Sequence, residues 1–255
     1  MMAIARKLVV LTLLALALTG CGSTAKGPIE PARVTLADVA PPNEVYPLQV
    51  WDPLEPINRA IYTFNAGFDR YVFLPVIRAY VDVTPLFVRN RVSDFFINLE
   101  EFRNFTNSVL QLNAESAGRA VLRFVVNVMF GFGGLHDIAS AKGIPPQPED
   151  FGETLGHWGA GPGPFLVIPI LGPSNVRDGT GLVVDGLAFY YALPGEVTSS
   201  IAYDVVMYGL RPIDLRYRTP FRYYSTGSPF EYDLVRFLNT EKRRLDIERG
   251  PPARG

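Results

Sequence analysis

The order of apolar and polar positions after residue 51 predicts a chain built mainly from amphipathic helices. In the first predicted helix, WDPLEPINRAIYTFNAGFD, apolar side chains recur every three or four residues, which is the spacing of one helical face. These side chains are Leu54, Ile57, Ile61, Phe64 and Phe68. Asp52 is the predicted N-cap of this helix. Pro75 is expected to end it, because proline lacks the N–H that a helix interior needs.

A polar stripe lies directly beside the apolar face of this helix and consists of Asn58, Tyr62, Asn65 and Asp69. On an isolated helix, such a stripe is equally well explained as the side that faces solvent. Amides, a phenol and a single carboxylate are nevertheless milder than the usual Lys and Glu of a solvent-facing surface. In a protein that lies within a bilayer, polar residues tend to face a water-filled interior. In that interpretation the stripe borders a solvated lumen, and Asn65→Leu costs little stability.

The rest of the pattern predicts one mainly helical domain with an irregular or hairpin segment rich in glycine and proline. Helices are expected from Thr84-Pro85 to Phe102, over 113–131, from a Ser174 cap through VVDGLAF, over 196–210, and after a Ser228–Glu231 capping box. FLVIPIL (165–171) resembles a strand, which Pro169 restricts to a sheet edge or an irregular segment.

The N-terminal segment has the pattern of a lipoprotein leader. Arg6 and Lys7 precede the apolar run 8–18, so residues 1–20 are predicted to be a signal peptide. LTGC ends in the single cysteine of the chain, Cys21. A lone cysteine is usually a small buried hydrophobe. Here small residues flank it and no second thiol exists, so LTGC is better explained by its resemblance to the lipobox of bacterial lipoproteins, in which the cysteine is acylated.

Residues 21–51 carry the acylated cysteine and five prolines, which predicts an extended tether, and residues 249–255 form a predicted flexible tail. Gly22 follows the cysteine, and the lack of an Asp there favours the outer membrane, by resemblance to the lipoprotein sorting pattern. Without residues 1–20 the chain has 22 basic and 25 acidic residues, a net charge of −3, which argues against nucleic-acid binding. Hydrophobic residues make up 48% of the chain, which is enough for the mature protein to lie in a membrane.

The segment GHWGAGPGPF (156–165) invites a catalytic interpretation that its residues do not support. It lacks the Lys-Ser/Thr of a phosphate-binding loop and the GxGxxG of a dinucleotide site, and the chain contains no HExxH zinc motif. The only histidines, His136 and His157, are better explained by capping and packing than by catalysis. We therefore expect no enzyme activity, metal or cofactor. A membrane-bound lipid hydrolase that uses one of these histidines as its base remains the alternative.

Several long motifs carry a family resemblance. DPLEPINRAIYTFNAGFD, SDFFINLEEFRNFTNSVLQ, FVVNVMFGFGGLHDIA and EDFGETLGHWGAGPGPFLVIPILGPSNVRDGTG resemble the MlaA/VacJ family of outer-membrane lipoproteins, from about Trp51 to Leu193. The resemblance implies a ring of amphipathic helices embedded in the periplasmic leaflet of the outer membrane. Its polar channel would take up phospholipids mislocalised in the outer leaflet and pass them to a periplasmic carrier of the MlaC type, while a trimeric porin holds the ring. A purely structural lipoprotein is a further alternative.

The resemblance also assigns residues. It makes residues 52–248 the helical lipid-channel domain. The lipid path would include Asn58, Tyr62, Phe64, Asn65, Asp69, Arg177 and Asp178. Arg177 could attract a phosphate headgroup, although a charge near a helix start, with Asp178 complementing the helix dipole, explains the pair equally well. The loop residues Gly156, His157, Trp158, Gly159, Gly161 and Gly163 would form a rigid turn in the channel wall, with Trp158 at headgroup level.

Overall fold

A computed structural model of the protein describes Val34 and residues 50–249. The predicted signal peptide, Cys21, most of the tether and residues 250–255 of the tail lie outside the described residues. The prediction of a mainly helical chain is confirmed. The helices are α1 (Glu55–Phe68), α2 (Leu74–Val83), α3 (Leu86–Leu110), α4 (Ala114–Phe130), α5 (Ile138–Ala141), α6 (Phe151–His157), α7 (Val176–Ala192), α8 (Gly195–Thr198), α9 (Ile201–Asp204), α10 (Arg211–Arg218) and α11 (Glu231–Arg249).

The start and the end of α1 differ from the prediction. Asp52 is not its N-cap: the helix begins at Glu55, and the Asp52 carboxylate accepts hydrogen bonds from Asn58 and Tyr232 instead. Pro75 does not end the helical run either. A wide π-helical turn, Asp69–Phe73, leads directly into α2, and Pro75 is the second residue of α2.

The long helices α3 and α4 pack along each other, and a buried arginine joins them. Arg123 on α4 is fully buried, and its Nε donates to Glu101 Oε1 on α3 at 2.5 Å. The same guanidinium reaches Asp137 Oδ2 at 3.0 Å and Ser140 Oγ at 3.0 Å, both at α5. Breaking a buried ion pair of this kind typically costs about 3–5 kcal/mol, so this contact fixes the register of the two helices.

The strand-like segment forms a hairpin. β1 (Phe165–Ile168) pairs antiparallel with β2 (Gly172–Asn175), so the restriction of this run to a small edge element is confirmed. Helix α7 follows β2 at once. Its cap is Asn175 rather than Ser174, because the Asn175 side chain accepts the N–H of Asp178 at 2.9 Å.

The C-terminal part is less regular than predicted. The stretch 196–210 is split into α8, α9 and a π-helical turn, Val205–Leu210. Helix α11 begins at Glu231, but the predicted capping box does not form. The Glu231 carboxylate instead accepts the N–H of Tyr224 and the hydroxyl of Thr226. Within residues 50–249, none of the helices combines the length and apolar character needed to cross a membrane.

Candidate functional site

Helices α1 and α4 show the reverse of the polarity of a helix in a water-soluble protein. On α1, Ile57 and Phe64 are 57% and 54% exposed, whereas Asn58 and Asn65 are only 1% and 2% exposed. The same pattern holds on α4, where Met129 and Phe130 are exposed while Asn127 is buried. Large apolar side chains normally fill a protein interior, and wide apolar patches mark interaction with a membrane or a partner.

The buried amides of α1 hold the hairpin. Asn58 Nδ2 donates to the carbonyl of Phe165 at 3.0 Å, and its Oδ1 accepts the N–H of Val167 at 2.9 Å. Asn65 likewise donates to the carbonyl of Ile168 and accepts the N–H of Ile170. The solvated lumen expected for these amides is therefore wrong: each amide supplies the donor and the acceptor that the free edge of β1 and the following turn need.

The other two members of the polar stripe are also bound within the fold. Tyr62 Oη donates to Glu231 at 2.9 Å, and burial raises the pKa of Tyr62, to which the Glu231 charge adds. Asp69 accepts two hydrogen bonds from Arg216 on α10, at 2.5 and 2.8 Å. The expectation of a solvated position is wrong for these two as well, because α11 and α10 pack against them.

Arg177 and Asp178 occupy the first turn of α7. This position agrees with the alternative that explains them as charges near a helix start. Arg177 is buried; its Nε donates to Asp178 at 2.9 Å and its Nη1 to the carbonyl of Ala160 at 3.3 Å. Asp178 also accepts from Arg243 of α11 at 2.7 Å. Both side chains thus join α7 to α11 and to the glycine-rich loop. A role for either residue on a lipid path stays a prediction.

The loop at 156–163 is partly helical. Gly156 and His157 are the last residues of α6, whose Asp150–Glu153 capping box is complete. A Cβ on Gly156 would lie 2.4 Å from Ile247 Cδ1, so this glycine allows α6 to approach α11 closely. The irregular part follows, and Gly159 and Gly163 have φ values of +90° and +68° that favour glycine. Gly161 lies between them in open space.

Trp158 and the two histidines have surroundings of their own. Trp158 is exposed, and its Nε1 donates to the carbonyl of Leu110 at 3.0 Å, which ties the loop to the end of α3. The His157 ring meets the edge of Trp158 at 5.4 Å and borders a cavity of about 300 Å³. The His136 ring lies near Phe87 and Phe132. A headgroup-level position of Trp158 stays a prediction.

A larger cavity of about 630 Å³ opens between α3, α7 and the segment 203–211. Its wall is mostly apolar and aromatic, with Phe189, Tyr190, Tyr191, Tyr203 and Tyr208. Four acidic or basic residues also border it: Glu100, Arg103, Asp185 and Arg211. Ligand pockets typically measure about 300–1,000 Å³ and combine apolar walls with a few polar groups. This cavity can therefore hold an amphiphile that has both a charged group and hydrocarbon.

The four charged residues of this cavity are not predicted by the sequence. They come from three helices, α3, α7 and α10; Glu100 and Arg103 are one turn apart on α3, but no local spacing relates this pair to Asp185 or Arg211. Only the packing of these three helices brings the four charges together. Within the part of the chain that the structure describes, no cluster of His, Cys, Asp and Glu has the arrangement of a metal site.

Comparison with known proteins gives a consistent result. A sequence family described as MlaA lipoprotein matches residues 50–246. An uncharacterised protein of Rickettsia felis is 39% identical over 146 residues, which cover 57% of this chain and 58% of the relative. The intermembrane phospholipid transport system lipoprotein MlaA of Escherichia coli is 39% identical over 146 residues, covering 56% and 57%. Its Haemophilus influenzae counterpart is 34% identical over 169 residues, covering 65% and 66%.

The chain thus spans 57–66% of the length of these curated relatives. A solved structure, described as "Structural basis for maintenance of bacterial outer membrane lipid asymmetry", is also similar. It superposes with a TM-score of 0.61 at 28% identity, covering 77% of this chain and 98% of that chain.

Proposed function

This chain belongs to the MlaA lipoprotein family, and we propose that it is an outer-membrane lipoprotein of intermembrane phospholipid transport. In this proposal it extracts phospholipid mislocalised in the outer leaflet of the outer membrane and passes it to a periplasmic carrier of the MlaC type. The relatives named for intermembrane phospholipid transport and the structure described for outer-membrane lipid asymmetry support this proposal. No covalent chemistry is required, because a lipid in the wrong leaflet moves downhill.

The single observation that carries the proposal is the reversed polarity of the helices. Exposed apolar faces on α1 and α4 lie opposite buried amides and ion pairs. Transfer of one large apolar side chain from water into hydrocarbon is worth about 1.5–3 kcal/mol, so such a surface is stable against acyl chains. We therefore infer that the helices form a ring embedded in the periplasmic leaflet, with their polar faces inward.

The large cavity is the proposed place of the lipid. Its aromatic and aliphatic wall suits acyl chains, and its arginines suit a phosphate. At about 630 Å³ the cavity fits a headgroup with its glycerol and the first part of the chains. We propose that the remainder of the acyl chains extends towards the membrane.

The lipid anchor is the proposed attachment to the outer membrane. Cys21 would carry acyl chains, and burial of hydrocarbon at about 0.8 kcal/mol per CH₂ makes a multi-chain anchor stable. The Pro-rich residues 22–51 would let the helical body lie at a distance from that anchor. From the family we further propose a trimeric porin as the partner that holds the protein in place.

The proposal is tested with donor vesicles that contain the acylated protein and a labelled phospholipid. We expect intact label to appear in the soluble carrier fraction, and vesicles without the protein serve as the control. Released fatty acid would instead support the hydrolase alternative with His136 or His157 as base. No movement of label above the control would support a purely structural lipoprotein.

A further inference from the structure

Two arginines border the large cavity without an anionic partner. Arg103 lies on α3, and Arg211 is the first residue of α10. Among residues 50–249, no carboxylate oxygen lies within 4.0 Å of either guanidinium. The Nε of Arg103 is buried and has no hydrogen-bond partner. The more deeply buried Arg59 and Arg123 differ, since each is ion-paired to a carboxylate.

The acidic residues of the cavity are bound to other groups. Asp185 accepts hydrogen bonds from Asn107 Nδ2 and from the N–H of Phe151, both at 2.9 Å. Glu100 faces Arg218, with 3.5 Å between the nearest atoms.

The electrostatics agree with this geometry. Burial lowers the pKa of Arg211; Glu100 opposes the effect and the charge of Arg103 adds to it. Burial also raises the pKa of Tyr203, so the phenol beside Arg211 is neutral and supplies no negative charge. A guanidinium stays protonated in proteins, so the cavity carries two positive charges that form no ion pair, and the carboxylates of Glu100 and Asp185 act on them only at longer range.

We propose that Arg103 and Arg211 bind the phosphate of a phospholipid headgroup and thereby select phosphate-bearing lipids over neutral ones. The inference rests on the proposed function and adds the residues that discriminate the cargo. A planar guanidinium offers donors in a fork that matches phosphate oxygens, and such charge-assisted bonds are the strongest of their kind. The apolar side chains of Leu182, Leu187 and Phe189, on the same cavity wall, would contact the hydrocarbon.

A neutral lipid lacks the group that the two arginines need. Diacylglycerol would fill the apolar part of the cavity but leave both guanidinium groups unpaired. Hydrogen bonds to charged groups are each worth about 1.5–3 kcal/mol, which corresponds to roughly 10-fold or more in affinity. The wild-type protein is therefore expected to prefer the phospholipid by at least about 10-fold.

The experiment measures binding of a phospholipid and a diacylglycerol with identical acyl chains and fluorophore to the purified full chain in detergent. Arg103→Gln/Arg211→Gln should lose the preference while diacylglycerol binding stays unchanged. Arg78→Gln is the matched control, since Arg78 is exposed on α2 and outside the cavity. It should retain the full preference. Retention of the preference by the double variant would overturn the proposal.

Further arms separate the remaining explanations. Labelled inorganic phosphate alone should not be retained, and retention as tight as that of phospholipid would make this a free-anion site.

If the wild-type protein binds both lipids equally, the arginines select nothing, yet transport stands. If it binds neither, the proposed function itself fails. If the double Gln variant unfolds, Arg103→Lys/Arg211→Lys replaces it, because this variant keeps both charges. The Lys variant should still prefer the phospholipid, by a smaller factor. Equal binding of both lipids by the Lys variant would overturn the proposal.

Discussion

Asn65 and Ile170 are joined by a 2.7 Å hydrogen bond from the Ile170 N–H to the side-chain oxygen of Asn65. Ile170 has a φ of +68°, a left-handed conformation that a β-branched residue rarely adopts. The Asn65 amide also donates to the carbonyl of Ile168 at 3.0 Å. One side chain on α1 thus holds both the end of β1 and the turn that follows it.

We predict that Asn65→Leu destabilises the protein, although the helix pattern suggests that it costs little. The substitution removes two hydrogen bonds of a side chain that is only 2% exposed, each worth about 0.5–1.5 kcal/mol. We expect a loss of about 1–3 kcal/mol in the free energy of unfolding, measured by denaturant titration in detergent. Asn90→Leu, at an exposed position of α3, is the matched control and should change stability by less than about 0.5 kcal/mol. Equal effects of the two would contradict the role of Asn65.

The pattern of α1 shows what the sequence can and cannot provide. The 3.6-residue period identified both faces of α1 correctly, because the period depends only on the helix. It could not reveal that the polar face meets β1, since Asn58 and Val167 are 109 positions apart. The Asp52 cap failed for a similar reason: Tyr232 and Asn58 compete for the carboxylate that a local rule assigns to the backbone. Arg103 and Arg211 carry no local signal at all.

We predict that Glu153 makes stability fall as pH rises. Burial and the nearby Asp150 charge raise the pKa of Glu153 to about 8, despite Arg243, from an ordinary value of 4.5. The folded state therefore binds more protons than the unfolded state between these values, and its stability declines from about pH 4.5 to about pH 8. Glu153→Gln should remove this slope in pH-dependent unfolding measurements. A variant with the wild-type slope would show that other groups produce it.

We predict that the contact of α6 with α11 requires Gly156. Gly156→Ala would place a Cβ 2.4 Å from Ile247 Cδ1 and 2.9 Å from Arg177 Nη1. Overpacking of this kind costs about 1–3 kcal/mol, which thermal unfolding detects. Gly118→Ala, in open space on α4, should be neutral or stabilising. Adding Ile247→Val should partly rescue Gly156→Ala; no rescue would place the clash elsewhere.

We predict that Cys21 is required for outer-membrane attachment. Cys21→Ser removes the thiol that would be acylated, so the chain should disappear from outer-membrane fractions of sucrose gradients. Ser23→Ala, two residues later, leaves the thiol in place and should fractionate as the wild type does. Full retention of Cys21→Ser in the outer membrane would contradict the lipoprotein anchor.

The central claim, that phospholipid occupies the large cavity, is tested most directly by native mass spectrometry of the protein purified from membranes. Gly186 borders the cavity and has no heavy atom within 4 Å of a Cβ placed on it, so Gly186→Trp should fill the cavity without disturbing the fold. Gly118→Trp, at an equally open position outside the cavity, is the control. We predict intact phospholipid on the wild type and on the control, and its loss from Gly186→Trp at unchanged thermal stability. Absence of phospholipid from the wild type, or its undiminished presence on Gly186→Trp, would contradict the claim.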